Sequence, residues 1–131
     1  MRVPLRCLLI DDSVEFGRAV AALLKREGVE VVAVADSGAE GLRRARTHRP
    51  DLIVLDVELG AENGFDVARD LLAGGIAAPV IFISVCPEYA DVVADRPAVL
   101  GFLSKDALSG EAVRQLWRGG APAARAFREV R

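Results

Sequence analysis

Short apolar runs closed by polar or turn residues alternate with stretches of helical period along this chain. Residues 5–10 read as a first strand ending in Asp11-Asp12, and Val14, Phe16, Ala19, Val20, Leu23 and Leu24 recur at helical spacing until Gly28 stops the helix. Residues 29–35 are β-branched and strand-like. Ser37 and Glu40 have the S-x-x-E spacing of a capping box, opening a second helix that ends near Thr47, before Pro50. Residues 52–55 predict a third strand, closed by Asp56, and Asn63 caps a helix carrying Phe65, Val67, Ala68, Leu71 and Leu72 up to Gly74-Gly75. Residues 80–83 form a fourth strand ending at Ser84. Pro87 suits the first turn of a following helix, and Pro97 ends that helix early, so a short or irregular fourth helix is expected. Residues 99–103 give a fifth strand and residues 108–117 a last helix, before Gly119-Gly120-Ala121-Pro122 breaks into an Arg-rich tail.

Five strand-then-helix units argue for an α/β fold: a doubly wound five-stranded parallel sheet with helices on both faces. The first, third and fourth strands lack clean alternation, as expected when both faces of a sheet are covered. No repeat or second domain is evident; residues 1–120 read as one domain and 121–131 as the tail. Ligands of such sheets bind beyond the carboxyl ends of the strands, so the polar residues there are the ones to examine.

Composition narrows the class. The chain has 131 residues, 52% apolar and 27% charged, as in an ordinary globular domain. A formal charge of −2 gives no reason to expect direct nucleic-acid binding through bulk electrostatics. No apolar run approaches the ~20 residues of a membrane span, and residues 1–6 lack the pattern of a secretory signal. Cys7 and Cys86 are too few for a disulfide scaffold, so a reduced, cytoplasmic domain is expected. Lys25 and Lys105 are the only lysines among 17 basic residues, which makes each stand out against an arginine background.

The strand ends place Asp11-Asp12, Asp56, Ser84 and Lys105 on one rim. Two carboxylates ~4 Å apart at an effective dielectric near 20 repel by about 4 kcal/mol. Lys105 offsets part of this, and a hard divalent cation offsets it better. Mg²⁺ suits one or two carboxylates plus a phosphate oxygen. A carboxylate nucleophile, a metal, a hydroxyl and an ammonium together make a kit for phosphoryl transfer to a carboxylate.

The pieces LLIDDS, LIVLDVELG, VIFIS and GFLSKDALS, in this order and each at a strand end, resemble a response-regulator receiver domain of bacterial two-component signalling, over roughly residues 5–117. The resemblance implies a flavodoxin-like strand order, 2-1-3-4-5. It implies that Asp11 and Asp12 bind Mg²⁺, that Asp56 is the phosphoacceptor and third acidic ligand, and that Glu58 offers its backbone carbonyl to the metal. Ser84 would sense the phosphoryl group, Lys105 would grip a phosphate oxygen, and the aromatic Phe102 would move with the switch. The partners implied are a sensor histidine kinase and an unidentified downstream protein, with the last helix and Trp117 as a contact face for a homodimer. Such a domain is a phosphoacceptor that promotes its own phosphorylation and dephosphorylation, and not otherwise an enzyme. GFLSKDAL most resembles the subfamily with helix-turn-helix output; the chain shows no such domain, so it is a stand-alone receiver or a fragment.

Blander readings stand beside these. Asp12 with Glu15 could cap the first helix, Asp56 could cap a loop, and Lys105 could be a solvated surface residue. Cys7 reads as packing, Cys86 as a small residue beside the site, and His48 as a helix C-terminal cation. Arg43, Arg44, Arg46 and Arg49 read as a solvated face. No second histidine or cysteine pair supports zinc. Three departures from the family pattern matter: bulky Val85 after Ser84, Gly60 where proline is common, and the compressed segment 84–105. Those around Val85 and Pro97 favour the alternative of a phosphorylation-independent pseudo-receiver that acts as a protein-binding module, which the complete acid, hydroxyl and lysine set opposes. A haloacid-dehalogenase-type phosphatase would show D-x-D where this chain has Asp11-Asp12-Ser13. A flavin binder would want a phosphate loop where these acids stand.

Overall fold

The computed structural model describes residues 4–93, 96 and 98–119. In chain order its elements are β1 (Leu5–Ile10), α1 (Val14–Arg26), β2 (Val29–Ala35), α2 (Gly38–His48), β3 (Leu52–Asp56), β4 (Glu58–Leu59), β5 (Glu62–Asn63), α3 (Gly64–Ala73), β6 (Val80–Ser84), α4 (Tyr89–Val93), β7 (Val99–Ser104), a 3₁₀ turn (Lys105–Ala107) and α5 (Gly110–Gly119). The main sheet is parallel, in the order β2-β1-β3-β6-β7. Without the small β4-β5 ribbon, this is the 2-1-3-4-5 order.

Side chains along the central strands point alternately to two cores. Leu8, Ile10, Ile53, Leu55, Val80 and Phe82 meet Val67 and Leu71 of α3, Ala45 of α2 and Val93 of α4 on one face. Cys7, Leu9, Leu52, Val54, Ile81 and Ile83 meet Val20 and Leu24 of α1 and Val113 of α5 on the other. Burial on both faces explains why the sequence of these strands does not alternate. It also pushes the Cys7 thiol up to about 12, with Asp51 and Glu30 adding to the shift, so Cys7 stays a protonated packing residue.

Both edge strands carry a bulge. Val32 is skipped between the pairs Cys7–Val31 and Leu8–Ala33, and Leu100 is skipped between Val80–Val99 and Ile81–Gly101. Bulges twist an exposed edge away from further pairing.

The capping chemistry removes the blander reading of Asp12. Ser13, not Asp12, caps α1, accepting a hydrogen bond from the Phe16 N–H at 3.2 Å. Asp12 is thereby free of any capping duty. The α2 box forms as expected: Ser37 accepts from the Glu40 N–H, and the Glu40 carboxylate accepts from the Asp36 N–H. Asn63 caps α3 through the Phe65 N–H. His48 lies in the last turn of α2. Among the described residues the fourth helix runs over five residues from Tyr89, so Pro87 precedes it rather than occupying its first turn. Pro97, expected to end it, lies outside the described residues, as does the tail 121–131. The last helix starts two residues later than expected, at Gly110, because Ser109 caps it, accepting from the Ala112 N–H at 3.0 Å.

The β4-β5 ribbon was not foreseen. It pairs Leu59 with Glu62 around Gly60-Ala61, and Gly60 has φ +61° while Ala61 does not take a positive φ. Glycine first in a two-residue hairpin loop is the type II′ pattern. Proline, fixed near φ −65°, cannot adopt that conformation, which accounts for Gly60 where the family often has proline. Gly64 closes the ribbon onto β3, its N–H donating to the Val57 carbonyl at 2.7 Å. A Cβ on Gly64 would overlap the Asp56 carbonyl oxygen and stand 2.8 Å from Val57 Cα. Gly64→Ala is therefore expected to destabilise the fold by about 1–3 kcal/mol in a urea titration; an unchanged midpoint would contradict this tight approach.

Candidate functional site

The carboxyl ends of β1, β3, β6 and β7 converge on one rim because parallel strands share a direction. Asp11 follows β1 and is held by its own N–H, which donates to the Ala35 carbonyl at 2.9 Å. Asp56 is the last residue of β3, and Ser84 the last of β6. Asp11 and Asp56 are 1% and 3% exposed, so both carboxylates are desolvated, whereas Asp12 is exposed.

One oxygen from each of Asp11, Asp12 and Asp56 lies within 4.8 Å of the others. The two buried carboxylates are held alike. Asp11 Oδ1 accepts from the Ser13 N–H at 2.8 Å, and Asp56 Oδ1 accepts from the Glu58 N–H at 3.0 Å. Their Oδ2 atoms share Lys105, whose Nζ is 2.8 Å from Asp11 and 3.0 Å from Asp56. The Phe16 ring lies 4.4 Å from that ammonium and adds a cation–π contact. The ammonium hydrogen-bonds Asp56 Oδ2, whereas its 2.8 Å contact with Asp11 Oδ2 is a close ion pair outside hydrogen-bond geometry. Asp11 Oδ2 thus keeps unmatched acceptor capacity inside the crevice, beside two further carboxylates. A hard cation suits that donor set.

The charges in the site move each other's titration. Burial raises the Asp56 pKa above its ordinary 3.8 and Asp11 adds to the rise, while hydrogen bonds from Lys105 and the Glu58 N–H work against it. Burial lowers the Lys105 pKa, but its contacts with Asp11 and Asp56 outweigh this, and the net shift is upward. The ammonium therefore remains charged at neutral pH, and Asp56 gives up its proton less readily than an ordinary carboxyl group.

Ser84 is fully buried; its Oγ accepts from the Cys86 N–H at 3.0 Å and donates to Glu58 Oε1 at 3.5 Å. Glu58 Oε1 also accepts a long contact from Cys86 Sγ at 3.9 Å. These side-chain contacts of Glu58 were not anticipated; neighbours in sequence give no sign of a contact across 26 positions. Phe102 lies on β7 opposite Phe82, half-buried against the α3 core rather than beside the acids. Val85 is 70% exposed. Gly60 sits against Asp12, where a Cβ would be 3.2 Å from its Oδ2, so the ribbon turn forms one wall of the acidic group.

A family model for the response regulator receiver domain matches residues 7–116. The chain belongs to the response regulator receiver family. The receiver is 34% identical over 79 residues to the transcriptional regulatory protein PdtaR of Mycobacterium tuberculosis, a match covering 60% of this chain and 38% of that protein. It is 33% identical over 88 residues to the DNA-binding response regulator MtrA of Mycobacterium leprae, covering 67% and 38%. The chain thus spans well under half the length of these relatives. A protein-glutamate methylesterase/protein-glutamine glutaminase of Vibrio parahaemolyticus is 30% identical over 104 residues, but only 28% of that enzyme is covered. Among solved structures, the signal receiver domain of the response regulator designated NarL from Mycobacterium tuberculosis superposes with a TM-score of 0.76 at 27% identity, covering 90% of this chain and 99% of that one. Receivers are in general signalling modules of two-component systems. Among the described residues of this one, no helix is long and apolar enough to cross a membrane.

For this receiver, the raised Asp56 pKa sets a pH dependence. An acid whose folded pKa lies above its unfolded value contributes stability below the unfolded value, and that stability is lost as pH rises through the folded one. In chelator, the wild type is expected to lose stability relative to Asp56→Asn as pH rises from about 3.8 through the folded pKa. Urea titrations across that range check this, and parallel pH curves for the two proteins would contradict it.

Proposed function

We propose that this receiver accepts a phosphoryl group from the phosphohistidine of a sensor histidine kinase onto Asp56, in a reaction that requires Mg²⁺ held by Asp11, Asp12, Asp56 and the Glu58 backbone carbonyl. The reading is carried by one observation: three carboxylates converge within 4.8 Å on a rim where a single lysine bridges the two buried ones. An Asp56 carboxylate oxygen forms the new P–O bond as the P–N bond to the kinase imidazole breaks, and the leaving nitrogen keeps the bonding pair. A bound Mg²⁺ would neutralise charge on the transferred group. Lys105 leaves Asp56 Oδ2 to grip a phosphate oxygen, supplying fixed positive charge to a loose transition state.

The product adds up to about −2 of charge and strong acceptors next to Ser84. Ser84 then donates to a phosphate oxygen, and Phe102 moves toward the space it leaves. A charge-assisted hydrogen bond contributes about 1.5–3 kcal/mol, whereas turning a population from 1:99 to 99:1 takes about 5.5 kcal/mol. Ser84 alone cannot throw the switch; Lys105, the metal or a partner surface must favour the phosphorylated state as well. Output is read by a downstream protein, and the α5 face around half-buried Trp117 is the contact surface we assign to a homodimer. The protein works in the cytoplasm, where such kinases present their phosphohistidine.

Incubation with Mg²⁺ and a phosphorylated sensor kinase is expected to add the mass of one phosphoryl group, labile in base, to the wild type and none to Asp56→Asn. An equally labile phosphate on Asp56→Asn would rule out the assigned acceptor. Millimolar Mg²⁺ is also expected to raise the thermal midpoint of the wild type, by the linkage of binding to folding, and to leave an Asp11→Asn/Asp12→Asn variant unmoved. Indifference of the wild type to Mg²⁺ would favour the pseudo-receiver.

A further inference from the structure

We propose that the Glu58 side chain is an off-state latch: it holds the one proton that Ser84 has to give, and a phosphoryl group on Asp56 must take that proton from it. The latch presupposes the phosphoacceptor reading above and adds a means by which the resting site resists activation.

A serine hydroxyl has a single donor and two acceptor lone pairs. Ser84 is 0% exposed, so its proton needs a partner within the protein. The Cys86 N–H, 3.0 Å from Oγ, occupies a lone pair and fixes the hydroxyl in place. The acceptor within reach of that proton among the described residues is Glu58 Oε1, 3.5 Å from Oγ, at the outer limit of a hydrogen bond. Glu58 is placed to do this by its backbone. Its N–H is tied to Asp56 Oδ1 at 3.0 Å, and β4 pairs it with Asn63 across the hairpin that Gly60 turns. The carboxylate is thus carried on a tethered strand two residues from the acceptor aspartate.

Phosphorylation brings charged oxygens to the same hydroxyl. Because there is one proton and there are two acceptors, Ser84 cannot serve Glu58 and the phosphoryl group together. Every bit of strength in the Glu58 contact is subtracted from the switch. Its length makes it weak, so the latch biases the equilibrium without blocking it.

Beryllium trifluoride, titrated into the Mg²⁺-saturated protein and followed by backbone amide shifts, reads the competition. Glu58→Ala is expected to bind this phosphoryl mimic about threefold to tenfold more tightly than the wild type, and Glu58→Gln, which keeps an acceptor oxygen but loses the charge, to stay within about twofold. The gain from Glu58→Ala should vanish in a Ser84→Ala background, where no proton is contested. No gain in Glu58→Ala, an equal gain in Glu58→Gln, or a gain that persists without Ser84 would each overturn the latch. A wild type that ignores the mimic altogether would instead overturn the phosphoacceptor reading beneath it.

Discussion

Two carboxylates buried side by side are the constraint around which the rest of this receiver is arranged. Asp11 and Asp56 are both nearly sealed from water, and ionised groups in that position repel each other and lose their hydration. The protein tolerates them by giving each a backbone N–H on one oxygen and a share of Lys105 on the other. That arrangement is incomplete, since Asp11 Oδ2 keeps acceptor capacity that nothing aligned fills and the Asp56 pKa stays raised. On the proposed function, that residual mismatch is what a divalent cation and an electrophilic pentavalent phosphorus centre would relieve, so the cost borne in the resting state would be a source of affinity in the reacting one.

The fold serves this crowding directly. Parallel strands end together, and burial of β1, β3 and β6 on both faces fixes where their last residues stand. The β4-β5 ribbon then closes the site from the side, with Gly60 against Asp12, Gly64 against the β3 end, and Glu62 accepting from the Gly38 N–H at the start of α2. Behind the site, Tyr89 of α4 meets Phe65 edge-on at 5.9 Å, and Phe65 in turn meets Phe82 edge-on at 4.9 Å. Phe82 pairs in register with Phe102 on β7, and both belong to the core on the α3 face.

Much of this was legible in the amino-acid sequence, and for identifiable reasons. The five long strands announce themselves because double burial demands unbroken apolar runs, and the chemistry sits at their ends because parallel strands put it there. Ser37, Asn63 and Glu40 act locally and were read correctly. What could not be read were choices between adjacent residues and contacts across the chain. Ser13 rather than Asp12 caps α1, and both are good cap residues in sequence. The ribbon is four residues of pairing around Gly60-Ala61, too short for periodicity, although a glycine ahead of Ala61 was the available signal. The lean of Glu58 toward Ser84 and of Phe16 over Lys105 depends on how separate strands and helices pack, which no local pattern encodes.

The most direct test of convergence is a crystal structure of the protein grown with Mg²⁺ and beryllium trifluoride. The account predicts the beryllium group on an Asp56 carboxylate oxygen, the metal between it and the carboxylates of Asp11 and Asp12, and the Lys105 ammonium moved onto a fluorine. A metal bound elsewhere, or an Asp56 left bare with Lys105 still bridging the two buried carboxylates, would contradict it.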